Sequence, residues 1–226
     1  MQFGDLSWMD VESYLQQDDR VVVVVGSTEQ HAYLSLATDV RIPHAIVSAA
    51  TAREQVLVTP PLNFGVSPHF AEFPGTISLT EQTFHQVLYE IVFSLVQHGF
   101  RGILIANGHA GNTIPPQLQA VAADLEDLNI IWYEWYNSVI LEQFATEENL
   151  QADHANWSEA FSFTRVGTLP GGEKAPASFA NAAAGLSYRD ILGDGSFGGP
   201  YQIEEAKMNR LFEQLVEELA GILKAM

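Results

Sequence analysis

Val21-Val22-Val23-Val24-Val25-Gly26-Ser27-Thr28-Glu29-Gln30-His31 opens the reading of this chain. Five valines in a row are β-branched and apolar on both faces, which suits a strand buried from both sides, as in a parallel sheet covered by helices. The run stops at Gly26-Ser27 and turns polar at once. Open α/β sheets bind ligands just beyond the carboxyl ends of their strands, so Glu29 and His31 are the first candidates for chemistry.

Working outward, further strands are expected at 55–59, stopped by Pro60-Pro61, at 102–106 and at 129–135. Helical patterns fall at 10–17, 80–98, 115–125 and 203–225, with Thr80 able to cap the second, Gly99 able to end it, and prolines in the first turn of the third. Residues 154–164 read as a helix start. Residues 63–78, with Gly65, Pro68, Pro74 and Gly75, and residues 172–196 read as loops. Strands alternating with helices, without repeat or linker, predict one α/β domain over residues 1–226 with a mainly parallel sheet.

Of 226 residues, 47% are hydrophobic and 17% charged, an ordinary globular balance. The net charge of -18, from 28 acids against 10 bases, argues against nucleic acid and anionic lipid as partners. With no cysteine, disulfides and thiolate metal sites are excluded, so any metal is held by His, Asp and Glu. The acidic, amphipathic start does not read as a signal peptide, and no apolar run is long enough to span a bilayer; a cytoplasmic protein is expected.

Two polar clusters follow buried strands. In the first, Glu29 and His31 are two apart and point the same way in an extended loop, with Asp39 eight residues on, its two oxygens able to bridge a pair of cations. The second is Asn107-Gly108-His109-Ala110-Gly111-Asn112, where small residues let backbone approach a ligand. Together they form a set suited to Zn, Mn or Fe.

These stretches, with Phe73-Pro74-Gly75-Thr76-Ile77-Ser78-Leu79 and the segment from His154 to Glu159, resemble the ordered motifs of the creatininase (creatinine amidohydrolase) family from about residue 5 to residue 222. The resemblance implies a single-domain three-layer α/β/α sandwich, a homohexamer, and hydrolysis of a cyclic amide, formamide or related C–N bond at a two-metal centre. Glu29, Asp39 and His109 would hold one ion, and His31 and Asp39 the other. His154 would serve proton transfer to the leaving nitrogen.

Departures from the family pattern bear on the substrate. Gly111 stands where creatininase proper has a glutamate ligand, which argues against creatinine itself; Glu159 is the candidate replacement ligand and a second catalytic candidate. Ala32 and Ala110 replace glycines, Tyr33-Leu34-Ser35-Leu36 replaces His-Leu-Pro-Leu, and Asn156-Trp157 replaces Gly-Glu. Asp153, beside His154, and Trp157 are the candidate substrate contacts. The aromatic run Trp132, Tyr133, Trp135, Tyr136 reads first as core or interface and second as a stacking surface, and His69 as a surface residue. The expected activity is metal-dependent hydrolysis of a small cyclic amide or formamide by activated water, with two divalent ions per subunit. The alternatives are action on a peptide or nucleotide intermediate in cofactor maturation, and non-catalytic binding of a metal or small molecule.

Overall fold

In the computed structural model, which describes residues 1–179 and 186–226, strands β1 (Arg20–Val25), β2 (Leu57–Val58), β3 (Gly102–Asn107) and β4 (Asn129–Glu134) form a parallel sheet. Their order is β2-β1-β3-β4. Strand alternation divides the valines between two cores: Val22 and Val24 enter one, Val21, Val23 and Val25 the other. β3 does likewise, with Leu104 and Ala106 on one face and Ile103 and Ile105 on the opposite one.

The first core is closed by helices α2 (Thr38–Glu54), α5 (Val139–Glu147) and α7 (Glu205–Ala225), whose buried residues include Ile46, Phe144 and Leu215. The second is closed by α1 (Trp8–Tyr14), α3 (Glu81–Gln97) and α4 (Pro116–Asp124), through residues such as Val11, Leu88 and Leu118. This is the expected three-layer α/β/α sandwich. Each fully buried valine, leucine or isoleucine stabilises it by about 1.5–3 kcal/mol. A short β5 (Glu173–Lys174), helix α6 (Tyr188–Leu192) and β6 (Gly199–Pro200) complete the described elements, β5 and β6 pairing antiparallel. Among the described residues no helix is long and apolar enough to cross a membrane.

Several local expectations are corrected. The strand at 55–59 contracts to two residues, and the helix start at 154–164 is only a 3-10 turn, Trp157–Glu159, with the Asn156 side chain accepting from the Ser158 N–H. The loop at 172–196 contains α6, and part of it lies outside the described residues. α2 carries no clean apolar stripe: Thr38, Asp39 and Thr51 are buried along with Ile42 and Ile46, and Pro43 in its interior reads as a breaker. Neither α2 nor α5 is therefore among the helices expected from sequence.

From β1 the chain builds β2 on one side, then crosses to build β3 on the other. The reversal leaves a crevice between the carboxyl ends of β1 and β3, where Val25 is in register with Asn107. Both polar clusters leave the sheet at this point.

Candidate metal centre

Glu29 and His31 follow β1, His109 follows β3, and Asp39 sits in the first turn of α2 rather than in an extended loop. Two glycines bring that turn down between the strand ends. A Cβ on Gly26 would lie 2.4 Å from the Asp39 carbonyl oxygen, and one on Gly108 only 1.9 Å from it. Pro43, four residues after Asp39, has no N–H to offer that carbonyl, so the helix leaves it free to face the glycines.

The result is a buried cluster in which Asp39 is central. Its Oδ1 lies 2.8 Å from His31 Nε2 and its Oδ2 3.0 Å from His109 Nδ1. Glu29 Oε1 stands 3.5 Å from His109 Nδ1, and Glu159 Oε2 3.8 Å from His31 Nε2. Two groups of three that share Asp39 therefore converge: Glu29, Asp39 and His109, and His31, Asp39 and Glu159, each with its ligand atoms within 4.8 Å of one another.

Surrounding backbone groups set which imidazole nitrogen faces inward. His31 Nδ1 is 3.1 Å from the Glu29 carbonyl, and His109 Nε2 is 2.9 Å from the Val66 carbonyl. A carbonyl only accepts, so each of these nitrogens carries the hydrogen and the other is left as an inward ligand atom. With those inward nitrogens unprotonated, Glu29 Oε2, His31 Nε2 and Asp39 Oδ2 are all buried without a hydrogen-bond donor. Buried polar atoms are normally satisfied. Three carboxylates, two inward imidazole nitrogens and unpaired buried lone pairs fit divalent cations by donor type and by need.

Without an ion, protons fill these positions. Burial opposes charge on His31, but Asp39 and Glu159 outweigh it and raise its pKa to about 10. Burial also opposes charge on His109, where hydrogen bonds to Asp39 and Glu29 win and raise it well above 6.5. Asp39 is lowered despite burial, chiefly by His31. Burial pushes the Glu159 carboxyl up to about 7, with His31 opposing and Asp39 adding to the rise. The folded metal-free chain thus holds a proton on His31 that an unfolded chain would release above 6.5, so its contribution to stability is lost as pH rises toward about 10. A divalent cation taken up there near pH 7.5 would have to displace that proton. Calorimetric titration of the metal-free protein in buffers of different ionisation heat should show net proton release; identical heats in all buffers would contradict this arrangement.

The cluster forms the floor of a cavity of about 480 Å³ whose lining includes His69, Phe70, Trp135, Tyr136, Asp153, His154, Tyr188 and Phe197. Asp153 lines it, and its Oδ1 also accepts the His154 N–H. Trp157 corrects the other expected contact. It is fully buried in the core, its ring stacks on Phe144, and its indole N–H donates to the Gln151 carbonyl. The aromatic strand supplies what Trp157 does not: Trp135 and Tyr136 line the cavity, and the buried Trp135 indole nitrogen has no partner. Their place just past the carboxyl end of β4 was the available signal. His69 is exposed, yet it stands on the cavity wall, stacked on Tyr188 at 4.6 Å.

His154 enters from the 150s segment, its Nδ1 3.9 Å from Glu29 Oε1. Its ring stacks on Phe70 at 4.6 Å, and burial and the neighbouring His31 hold its pKa well below 6.5. Ala32 has φ +49°, which explains why glycine suits that position. At Gly111 a Cβ would lie 2.2 Å from the Val66 carbonyl oxygen and 2.4 Å from His109 Nε2, so this backbone has no room for the glutamate of creatininase proper.

Creatinine amidohydrolase of Pseudomonas putida is 31% identical over 118 residues, 49% of this chain and 45% of that enzyme, so the alignment spans less than half its length. The mycofactocin precursor peptide peptidase of Mycolicibacterium smegmatis is 28% identical over 221 residues, covering 90% of this chain and 84% of that protein. A solved creatininase has the same fold, with a TM-score of 0.81 at 22% identity over 99% of this chain and 97% of that one. The sequence profile described as creatininase, creatinine amidohydrolase, matches residues 4–223, nearly end to end. The chain therefore belongs to the creatininase family.

Proposed function

We propose that this protein is a metal-dependent amidohydrolase that cleaves the C–N bond of a neutral or cationic substrate carrying a flat apolar group, a small cyclic amide or formamide in the simplest case. The observation that carries the reading is the set of unpaired buried atoms of Glu29, His31 and Asp39, two of which, Glu29 and Asp39, line an open cavity. Glu29, Asp39 and His109 would hold one ion, and His31, Asp39 and Glu159 the other, with Asp39 between them. Divalent ions held there would polarise the scissile carbonyl and acidify the attacking water. Trp135 offers an unpartnered indole N–H to a substrate acceptor, and Phe70, Tyr188 and Phe197 offer aromatic faces to a planar group.

No lysine or arginine lines the cavity among the described residues, and residues 180–185 contain none. A phosphate-bearing substrate would lack the guanidinium or ammonium partners such groups are usually given, which counts against the nucleotide alternative. A peptide remains a second reading with its own support. The cavity is within the range that holds a drug-sized ligand. It meets a further hollow of about 420 Å³ that shares Tyr136, Leu141 and Ala152 with it and is also lined by Ser138, Glu142 and Gln151. The non-catalytic alternative is weakened because Glu29, Asp39, His109 and Glu159 all face the open cavity, whereas structural sites are closed by protein ligands. A homo-oligomer, hexameric by resemblance, and a cytoplasmic location belong to the same proposal. Exposed Tyr33, Leu36, Ile77 and Val166 are apolar side chains available to a second copy.

Protein produced with Zn, Mn and Fe present should carry about two divalent ions per chain. A panel of cyclic amides, formamides, short peptides and phosphorylated amides should give turnover only among unphosphorylated members and only with metal. Metal-free protein from such a preparation, or preference for the phosphorylated amides, would sink the proposal.

A further inference from the structure

Gln30 lies between two of the proposed ligands in sequence, yet its side chain turns away from the cation cluster toward His154. It is buried and each of its side-chain polar atoms is used. Oε1 accepts the Ala32 N–H at 3.1 Å, while Nε2 lies 3.1 Å from the Gly195 carbonyl and 2.8 Å from His154 Nε2. The two backbone partners settle which end of the amide is which. Ala32 N–H only donates and the Gly195 carbonyl only accepts, so the opposite orientation would set oxygen against oxygen and N–H against N–H. Gln30 Nε2 is therefore the donor to His154. His154 Nε2 must accept, and the single hydrogen of its neutral ring sits on Nδ1.

That nitrogen is the one directed at the metal centre, 3.9 Å from Glu29 Oε1. We propose that Gln30 is a positioning residue that fixes His154 as its Nδ1–H tautomer, so that His154 presents this N–H to the substrate's carbonyl oxygen or leaving nitrogen and does not ligate an ion. Although Glu29, His31 and His154 also lie close enough together to hold a cation, this tautomer withholds the His154 lone pair from them. The tautomer specifies which nitrogen holds the hydrogen, which the sequence expectation left open. Donation of that N–H is the use made elsewhere of a neutral imidazole that polarises a carbonyl.

The surroundings are built around this contact. Phe70 stacks on the His154 ring at 4.6 Å and Phe197 leans on it at 5.0 Å, which holds the ring plane. Gly195 has φ +102°, and a Cβ there would lie 1.8 Å from Gln30 Oε1. Its loop is held by Lys174, whose Nζ donates to the Leu192 carbonyl, Asp194 Oδ1 and the Ser196 carbonyl at 2.5, 2.5 and 2.7 Å.

The functional meaning of this inference rests on the hydrolytic reading above, but its test does not need turnover. In zinc-loaded protein with ¹⁵N-labelled histidine, His154 should show a protonated Nδ1 and an unprotonated Nε2. Gln30→Glu presents a carboxylate oxygen to Nε2, which must then carry the hydrogen, and the ¹⁵N pattern should invert. Gln30→Met removes the donor and should leave a mixture of tautomers, with zinc content unchanged in both variants. On whichever amide the panel identifies, Gln30→Glu should lower kcat by roughly 100-fold at similar KM, the scale of one positioned polar group in catalysis. A wild-type spectrum with hydrogen on Nε2, or the wild-type pattern persisting in Gln30→Glu, would overturn the inference. Zinc content, measured on the same samples, reports separately on the metal centre, so the two readings fail independently.

Discussion

Replacing Asp39 by asparagine is expected to empty both cation positions at once. One carboxylate oxygen of Asp39 faces His31 and the other faces His109, so each proposed ligand group loses a member and falls from three protein ligands to two. Catalytic divalent sites generally keep three protein ligands, and an amide is a poor substitute for a bridging carboxylate. Activity should fall on the order of 10³-fold or more, because the lost Lewis acidity is worth several kcal/mol of transition-state stabilisation. Glu159→Gln supplies the contrast. Glu159 belongs to one group only, so that variant should keep about one ion per chain where Asp39→Asn keeps none. Elemental analysis of the two purified variants decides the matter. Two ions retained by Asp39→Asn would mean that the carboxylate does not bridge, and equal losses in both variants would mean that the positions are not distinct.

The second large effect comes from a residue that touches no ion. Gly108→Ala places a methyl group 1.9 Å from the Asp39 carbonyl oxygen and 2.7 Å from Pro43 Cγ. Neither neighbour can yield cheaply. The carbonyl belongs to the first turn of α2, anchored by buried Ile42 and Ile46, while the Gly108 N–H is held to the Val25 carbonyl at 2.9 Å. Overpacking of this kind costs about 3 kcal/mol or more. For a chain of this size that lowers Tm by roughly 6–12 °C. Because relief requires α2 to move away from the strand ends, Asp39 would move with it, and metal affinity should fall together with stability. Gly171→Ala is the control, since nothing lies within 4 Å of a Cβ there. Calorimetry and metal content of both variants test the idea. A Gly108→Ala protein that melts like the control and binds metal normally would show that the glycine does not hold the helix in place.

Gly108 also illustrates where sequence reading reached and where it stopped. Its smallness in sequence suggests a close approach of backbone to a ligand, whereas the structure uses it to let a helix terminus approach a strand end. Glu29, His31 and His109 were legible because each follows within a few residues of a strongly apolar strand, where polar atoms have no reason to be buried except to bind something, and Asp39 by its spacing after His31 and by the family resemblance. Asp39 was legible as a donor but not as a helical residue, because Pro43 and the buried polar residues around it hide the helix. Trp157 was misjudged for the converse reason. It lies within a family motif, but its ring has gone to the apolar side, against Phe144.

By itself the sequence determined the layers and the donors. Five valines buried on both faces require cover on both faces of a sheet, and a cysteine-free chain can offer a cation only imidazoles and carboxylates. Which donors meet, and which nitrogen of each histidine faces inward, follows from the packing of the folded chain. Local patterns specify the face a side chain takes, whereas a hydrogen bond such as that from Gln30 to His154, across 124 residues, depends on strand order and on close approach at Gly26, Gly108 and Gly195. Those contacts are set by the packing of distant segments, and no stretch of sequence carries them alone.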